Sequence, residues 1–210
     1  MHHHHFNLQD YTVTQDIRIC FVGDSFVNGT GDDTALGWAG RLCAAAGKNG
    51  IPVTYYNLGI RRNTSTDILL RWEHECALRL PSDCDGRVVI SCGVNDTVME
   101  EGKTRVHPEE SCANINKILG GAMKYKALMV GPPPVDDDNQ NERIKTLSQL
   151  FAHQAEALGV PYIELFSALV SDETYKKEIA NNDGSHPRSE GYAKIANIVG
   201  YSPKWWFHAS

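Results

Sequence analysis

Three short stretches hold residue types that could act together on a carbonyl carbon, and they lie far apart in the chain. Gly23-Asp24-Ser25-Phe26 follows the apolar run Ile17 to Val22 and sets a serine where a strand gives way to a tight turn. A serine there can present its hydroxyl at the mouth of a fold. It can equally be an ordinary turn residue, since Gly, Asp and Ser all favour turns. Gly93-Val94-Asn95-Asp96 follows another apolar run, Arg87 to Cys92. The Asn95 amide can donate into a crevice or simply close an Asx turn, and Asp96 reads as a structural acceptor. Asp183-Gly184-Ser185-His186-Pro187 sets a carboxylate and an imidazole three residues apart. That spacing lets the aspartate accept from one ring nitrogen while the other faces outward, although a surface-loop histidine looks the same in isolation.

These residue types suit acyl transfer. A serine hydroxyl is a poor nucleophile at neutral pH until a base removes its proton, and the base needs a third group to set its tautomer. The intermediate then needs donors aimed at its oxyanion. Other chemistries have less in the sequence to support them. The net charge of −6 argues against a large phosphate-backbone footprint, so no nucleic-acid partner is expected. There is no GxGxxG motif and no P-loop to cradle a nucleotide or flavin. His2 to His5 read as a purification-tag remnant, which leaves His74, His107, His153, His186 and His208 and gives no basis for a metal site or other cofactor. The six cysteines lack a CxxC pair and read as small buried hydrophobes, with a Cys76 to Cys84 disulfide as the alternative. Apolar runs are too short to cross a bilayer, which takes roughly 20 residues. A cytoplasmic location is expected, with a removed signal peptide left open.

The elements that must position these residues alternate in type. Strand patterns cover Ile17 to Val22, Pro52 to Leu58, Arg87 to Cys92, Ala127 to Val130 and Val160 to Leu165. Between them, helical spacing appears in Leu36, Ala39, Cys43 and Ala46, and in Leu69, Trp72, Cys76 and Leu80 behind a Thr64/Asp67 capping box. Further stripes are Cys112, Ile115, Leu119 and Met123 after Pro108, and Ile144, Leu147, Phe151, Ala155 and Leu158 after the Gly131-Pro132-Pro133-Pro134 loop. Asp136 to Asp138 read as a solvated lead-in to that last helix, residues 166–182 as short helices, and Ser189 to Val199 as a final helix. Trp205 and Trp206 are expected to cover apolar surface. Strict alternation predicts an α/β fold, a parallel sheet in a three-layer α/β/α sandwich, with ligands at the carboxyl ends of the strands. One domain over residues 16–210 is expected, with 1–15 as tag remnant and N-terminal arm.

Ser25, Gly59, Asn95 and His186 occur in order, supported by Gly37-Trp38, Asn57-Leu58-Gly59 and the block from Asp183 to Pro187. In this set the chain resembles the GDSL, or SGNH, hydrolase family over nearly its whole length. The resemblance implies a flavodoxin-like five-stranded sheet of order 2-1-3-4-5. It also implies a serine esterase with Ser25 as nucleophile, His186 as base and Asp183 orienting it, working through an acyl-enzyme on a small-molecule ester, with short acyl chains expected. The implied oxyanion donors are the backbone N–H groups of Ser25 and Gly59 and the Asn95 side chain. Glycine at 59 would let that N–H approach substrate without a Cβ in the way. Carbohydrate O-acetylesterase, thioesterase and lysophospholipase remain open as uses of the same site, as does a silent binding domain; the oligomeric state is not legible. One departure is Arg62, where many relatives carry a second glycine. With Arg61 it could bind an anionic group on the substrate, or both could be solvated.

Overall fold

The computed structural model describes residues 15–208. Residues 1–14, which include the tag remnant and nearly all of the expected arm, lie outside the described residues. Five parallel strands, β1 (Ile17–Gly23), β2 (Val53–Gly59), β3 (Asp85–Ser91), β6 (Lys126–Val130) and β7 (Tyr162–Ile163), form one sheet of order β2-β1-β3-β6-β7. Counted without the short hairpin β4 (Met99–Glu100) and β5 (Lys103–Thr104), this is the expected order 2-1-3-4-5. Each parallel neighbour needs a crossover, and helices supply them. The helices are α1 (Ser25–Asn28), α2 (Gly37–Lys48), α3 (Ser65–Ala77), α4 (Pro108–Ala122), α5 (Asp138–Leu158), α6 (Phe166–Leu169), α7 (Glu173–Ala180) and α8 (Ser189–Gly200).

Alternation along the strands splits the core into two layers. Ile19, Phe21, Val89 and Leu128 face a layer built with Trp38, Tyr175, Tyr192 and Ile195 from α2, α7 and α8. Cys20, Val22, Val88, Ile90 and Met129 face a second layer with Ile68, Trp72, Ile115, Leu119 and Phe151 from α3, α4 and α5. The interior strand β1 is buried on both faces, so truncating Ile19 to Ala would cost about 2–5 kcal/mol. Trp205 is buried in the first layer and Trp206 packs beside it.

Several boundaries and faces differ from the sequence reading. The helix expected to carry Leu36, Ala39, Cys43 and Ala46 begins only at Gly37, because Asp32 Oδ1 holds Thr34 N in a turn at 3.0 Å. On α3 Trp72 and Cys76 are buried as expected, as is Leu80 just after it, but Ser65 and Ile68 rather than Leu69 complete the inner face. On α4 Met123 is exposed, and the inner stripe is Ser111, Asn114, Ile115, Ile118, Leu119 and Ala122. The Val160 to Leu165 run pairs only at Tyr162–Ile163, opposite Met129 and Val130, the last two residues of β6. The β4–β5 hairpin carried no apolar pattern that could have announced it. All six cysteines are free, and Cys84 and Cys112 are only partly buried.

Candidate active site

Ser25 owes its place to the way β1 stops. Gly23 lies so close to β3 that an added Cβ would stand 2.0 Å from Ser91 O. Asp24 then caps α1, its Oδ1 accepting from Phe26 N at 2.9 Å, and Ser25 opens that four-residue helix rather than a loop. Asp24 thus supports the turn. Burial pushes its carboxyl up to about 7; the Phe26 N–H opposes this and the Asp96 carboxylate adds to it.

The loop between α7 and α8 delivers the histidine. Asp183 Oδ1 accepts from Ser185 N at 3.0 Å and His186 N at 2.8 Å, and Oδ2 lies 2.7 Å from His186 Nδ1. On the other side of the ring, His186 Nε2 lies 2.7 Å from Ser25 Oγ. Partial burial raises the Asp183 carboxyl, but the His186 N–H, the His186 ring and the Ser185 N–H together hold it at about 2. An ionised Asp183 only accepts, so Nδ1 carries the proton of a neutral ring. That leaves the Nε2 lone pair facing the Ser25 hydroxyl. The Phe26 ring supports the imidazole, with centroids 4.9 Å apart.

Glu178 is a contributor that the sequence reading missed. Arg188, the N-cap of α8, makes no side-chain cap. Glu178 reaches across from α7 to do so, accepting from Arg188 N at 2.8 Å, Gly191 N at 2.7 Å and Glu190 N at 3.2 Å. A carboxylate suits a helix N-terminus, where N–H groups lack intrahelical acceptors. No local spacing marks Glu178 for this, because its partners lie more than two turns of chain away.

Asn95 follows β3, its Nδ2 donating to Asn63 O at 3.0 Å and only distantly to Asp24 Oδ2 at 3.5 Å. Asp96 is buried and accepts from Ser65 N at 2.8 Å and Ser111 Oγ at 2.7 Å. Gly59 ends β2, and its N–H donates to Asn57 Oδ1 at 3.0 Å. The reason expected for glycine there needs correction. An added Cβ would stand 2.2 Å from Asn28 N and 2.6 Å from Asp24 O, so the residue is glycine because α1 packs directly onto it. Arg61 and Arg62 are both exposed. Arg62 keeps a left-handed φ of 66°, the conformation glycine favours, and its guanidinium lies 3.5 Å from Glu100 of the hairpin.

The sequence profile of the GDSL-like lipase/acylhydrolase family matches residues 21–194. The chain belongs to this family. Membership makes it a hydrolase of ester bonds, and the matched span runs from the strand before Ser25 to beyond His186. No curated protein is significantly similar to it in sequence. Solved GDSL-like structures share the fold at low identity. A lipase/acylhydrolase from Enterococcus faecalis is 23% identical with a TM-score of 0.73, covering 87% of this chain and 93% of that one. An acetyl xylan esterase from Geobacillus stearothermophilus is 19% identical with a TM-score of 0.75, covering 93% and 97%. The psychrotrophic esterase EstA from a Pseudoalteromonas species is 18% identical with a TM-score of 0.70, covering 91% and 98%. Among the described residues of this GDSL-like chain, no helix is long and apolar enough to cross a membrane.

Proposed function

We propose that this protein hydrolyses small carboxylic esters through an acyl-enzyme on Ser25. The observation that carries the reading is the continuous relay Asp183 Oδ2, His186 Nδ1, His186 Nε2 and Ser25 Oγ, with both contacts at 2.7 Å. Ser25 Oγ attacks the acyl carbon while His186 Nε2 takes its proton. The tetrahedral oxyanion is held by the Ser25 N–H, which opens α1, by the Asn95 amide and by the Gly59 N–H, which it shares with Asn57 Oδ1. When the ester C–O bond breaks, His186 returns the proton to the departing alkoxide. Water then attacks the acyl carbon by the same route, releasing the carboxylic acid and restoring Ser25.

Short acyl groups are the proposed substrates, and an acetyl group on a carbohydrate is the second reading, favoured because one structural relative, seen in several structures, is described as an acetyl xylan esterase. The test is a panel of nitrophenyl esters of rising chain length beside acetylated sugars and acyl thioesters. Ser25→Ala should lose turnover on every substrate, and Ser25→Ala/His186→Ala should cost little more than either change alone, because the two act as one unit. Undiminished turnover in Ser25→Ala would sink the nucleophile assignment, as would a phosphonate ester that labels any residue but Ser25.

A further inference from the structure

Arg71 reaches from α3 into the floor of the site with its side chain only 16% exposed. Its guanidinium donates from Nη2 to Gly23 O at 2.8 Å, from Nη1 to Leu58 O at 3.0 Å and from Nε to Asn63 Oδ1 at 2.7 Å. Glu75, one turn along α3, takes a further bond from Nη1 at 3.2 Å. Each of the first three acceptors leads directly to a group of the proposed hydrolytic site. Gly23 O is the last carbonyl of β1 before Asp24 and Ser25. The Leu58 carbonyl shares one peptide unit with the Gly59 N–H. Asn63 gives its side-chain oxygen to Arg71 and its main-chain oxygen to Asn95 Nδ2.

The peptide plane makes the second link stiff, since turning the Leu58 carbonyl turns the Gly59 N–H with it. Donation from a cation into that carbonyl also polarises the amide, and bonds in series strengthen one another by about 10–30% each. A planar fork of five donors can serve three fixed acceptors at once, which the single ammonium of a lysine cannot match in geometry. We infer that Arg71 is a positioning residue that holds the Gly59 and Asn95 donors in register with Ser25. The inference rests on the esterase reading above.

The test measures kcat, KM and thermal midpoint on nitrophenyl acetate for wild type, Arg71→Met, Asn95→Ala and the double variant. Arg71→Met should lose about 10- to 100-fold in kcat, less than deleting a donor outright, with KM nearly unchanged. The double variant should fall short of the product of the two single losses by at least about threefold, because Arg71 acts partly through Asn95. Losses that multiply in full, or a lowered midpoint with kcat intact, overturn the inference. If Arg71→Met does not fold, Asn63→Ala decides. It removes the Nε acceptor but keeps the Asn63 carbonyl, and should lower kcat in the same non-additive way; an unchanged kcat overturns the inference. A wild-type protein without esterase activity would instead overturn the hydrolytic reading itself, a result distinct from multiplying losses in an active enzyme.

Discussion

Asn95 has one amide hydrogen committed to the Asn63 carbonyl and a second that only approaches Asp24 Oδ2 at 3.5 Å, beyond an ordinary N–H···O contact. In the proposed mechanism that loosely held donor is the one that meets the developing oxyanion. Asn95→Ala should therefore fold and lose roughly 10²- to 10³-fold in kcat. Steady-state kinetics check this, and a rise in KM with kcat intact would make Asn95 a ground-state binding residue instead. Beneath it, Asp24 titrates at about 7 in the fold because burial disfavours its charge. An unfolded chain releases that proton near the ordinary value of 3.8, so between 3.8 and about 7 the folded state binds more protons and stability falls as pH rises. Asp24→Asn keeps the α1 cap and removes this penalty. Its thermal midpoint should gain on wild type from pH 4 to 7 and hold the difference above that, by about 2–4 °C for each kcal/mol. A gap that does not change with pH would mean that Asp24 is already ionised in the fold. Asp183 works in the opposite sense: its lowered carboxyl adds stability above pH 3.8 that is lost as pH falls toward about 2.

Short elements carry the site, and they are held from outside themselves. The α8 N-terminus depends on Glu178 of α7, so Glu178→Ala should cost about 1–3 kcal/mol and loosen the segment from Asp183 to Pro187. Thermal unfolding and kcat should fall together, and Glu178→Gln, which keeps an acceptor oxygen, should restore part of both. The α1 turn depends on Gly59, where a methyl would meet main-chain atoms of Asp24 and Asn28. Helix and strand identity was legible because apolar spacing reports it, and so was the Thr64/Asp67 capping box. The inner faces of α3 and α4 were legible only in part: Trp72, Cys76, Ile115 and Leu119 are buried as expected, but apolar residues such as Leu70 and Met123 stand in water while Ser65, Ser111 and Asn114 are buried in the polar network around Asp96. Local hydrophobicity cannot report a buried side chain whose partners come from another element.

Across the whole molecule, substrate preference turns on what surrounds the crevice. Arg62 is 77% exposed and pairs with Glu100 at 3.5 Å, while Arg61 is also exposed. Solvated charges of this kind contribute about 1 kcal/mol or less, so Arg61→Ala and Arg62→Ala should change kcat/KM by roughly fivefold at most on matched neutral and carboxylate-bearing esters. A larger loss confined to the anionic ester, fading at high salt, would instead make the arginines part of an acidic-substrate pocket. The sequence by itself determined the layer order and named the candidate reactive residues, because strand-helix alternation, turn glycines and four separated motifs are local properties of the chain. Only the tertiary structure decided that Ser25 and His186, 161 residues apart, meet at 2.7 Å. It alone also brought Arg71 to the Gly23 and Leu58 carbonyls, Glu178 to the α8 N-terminus and α1 onto Gly59. These are contacts between elements distant in the chain, and side-chain reach across packed elements leaves no periodic trace in the residues that make it.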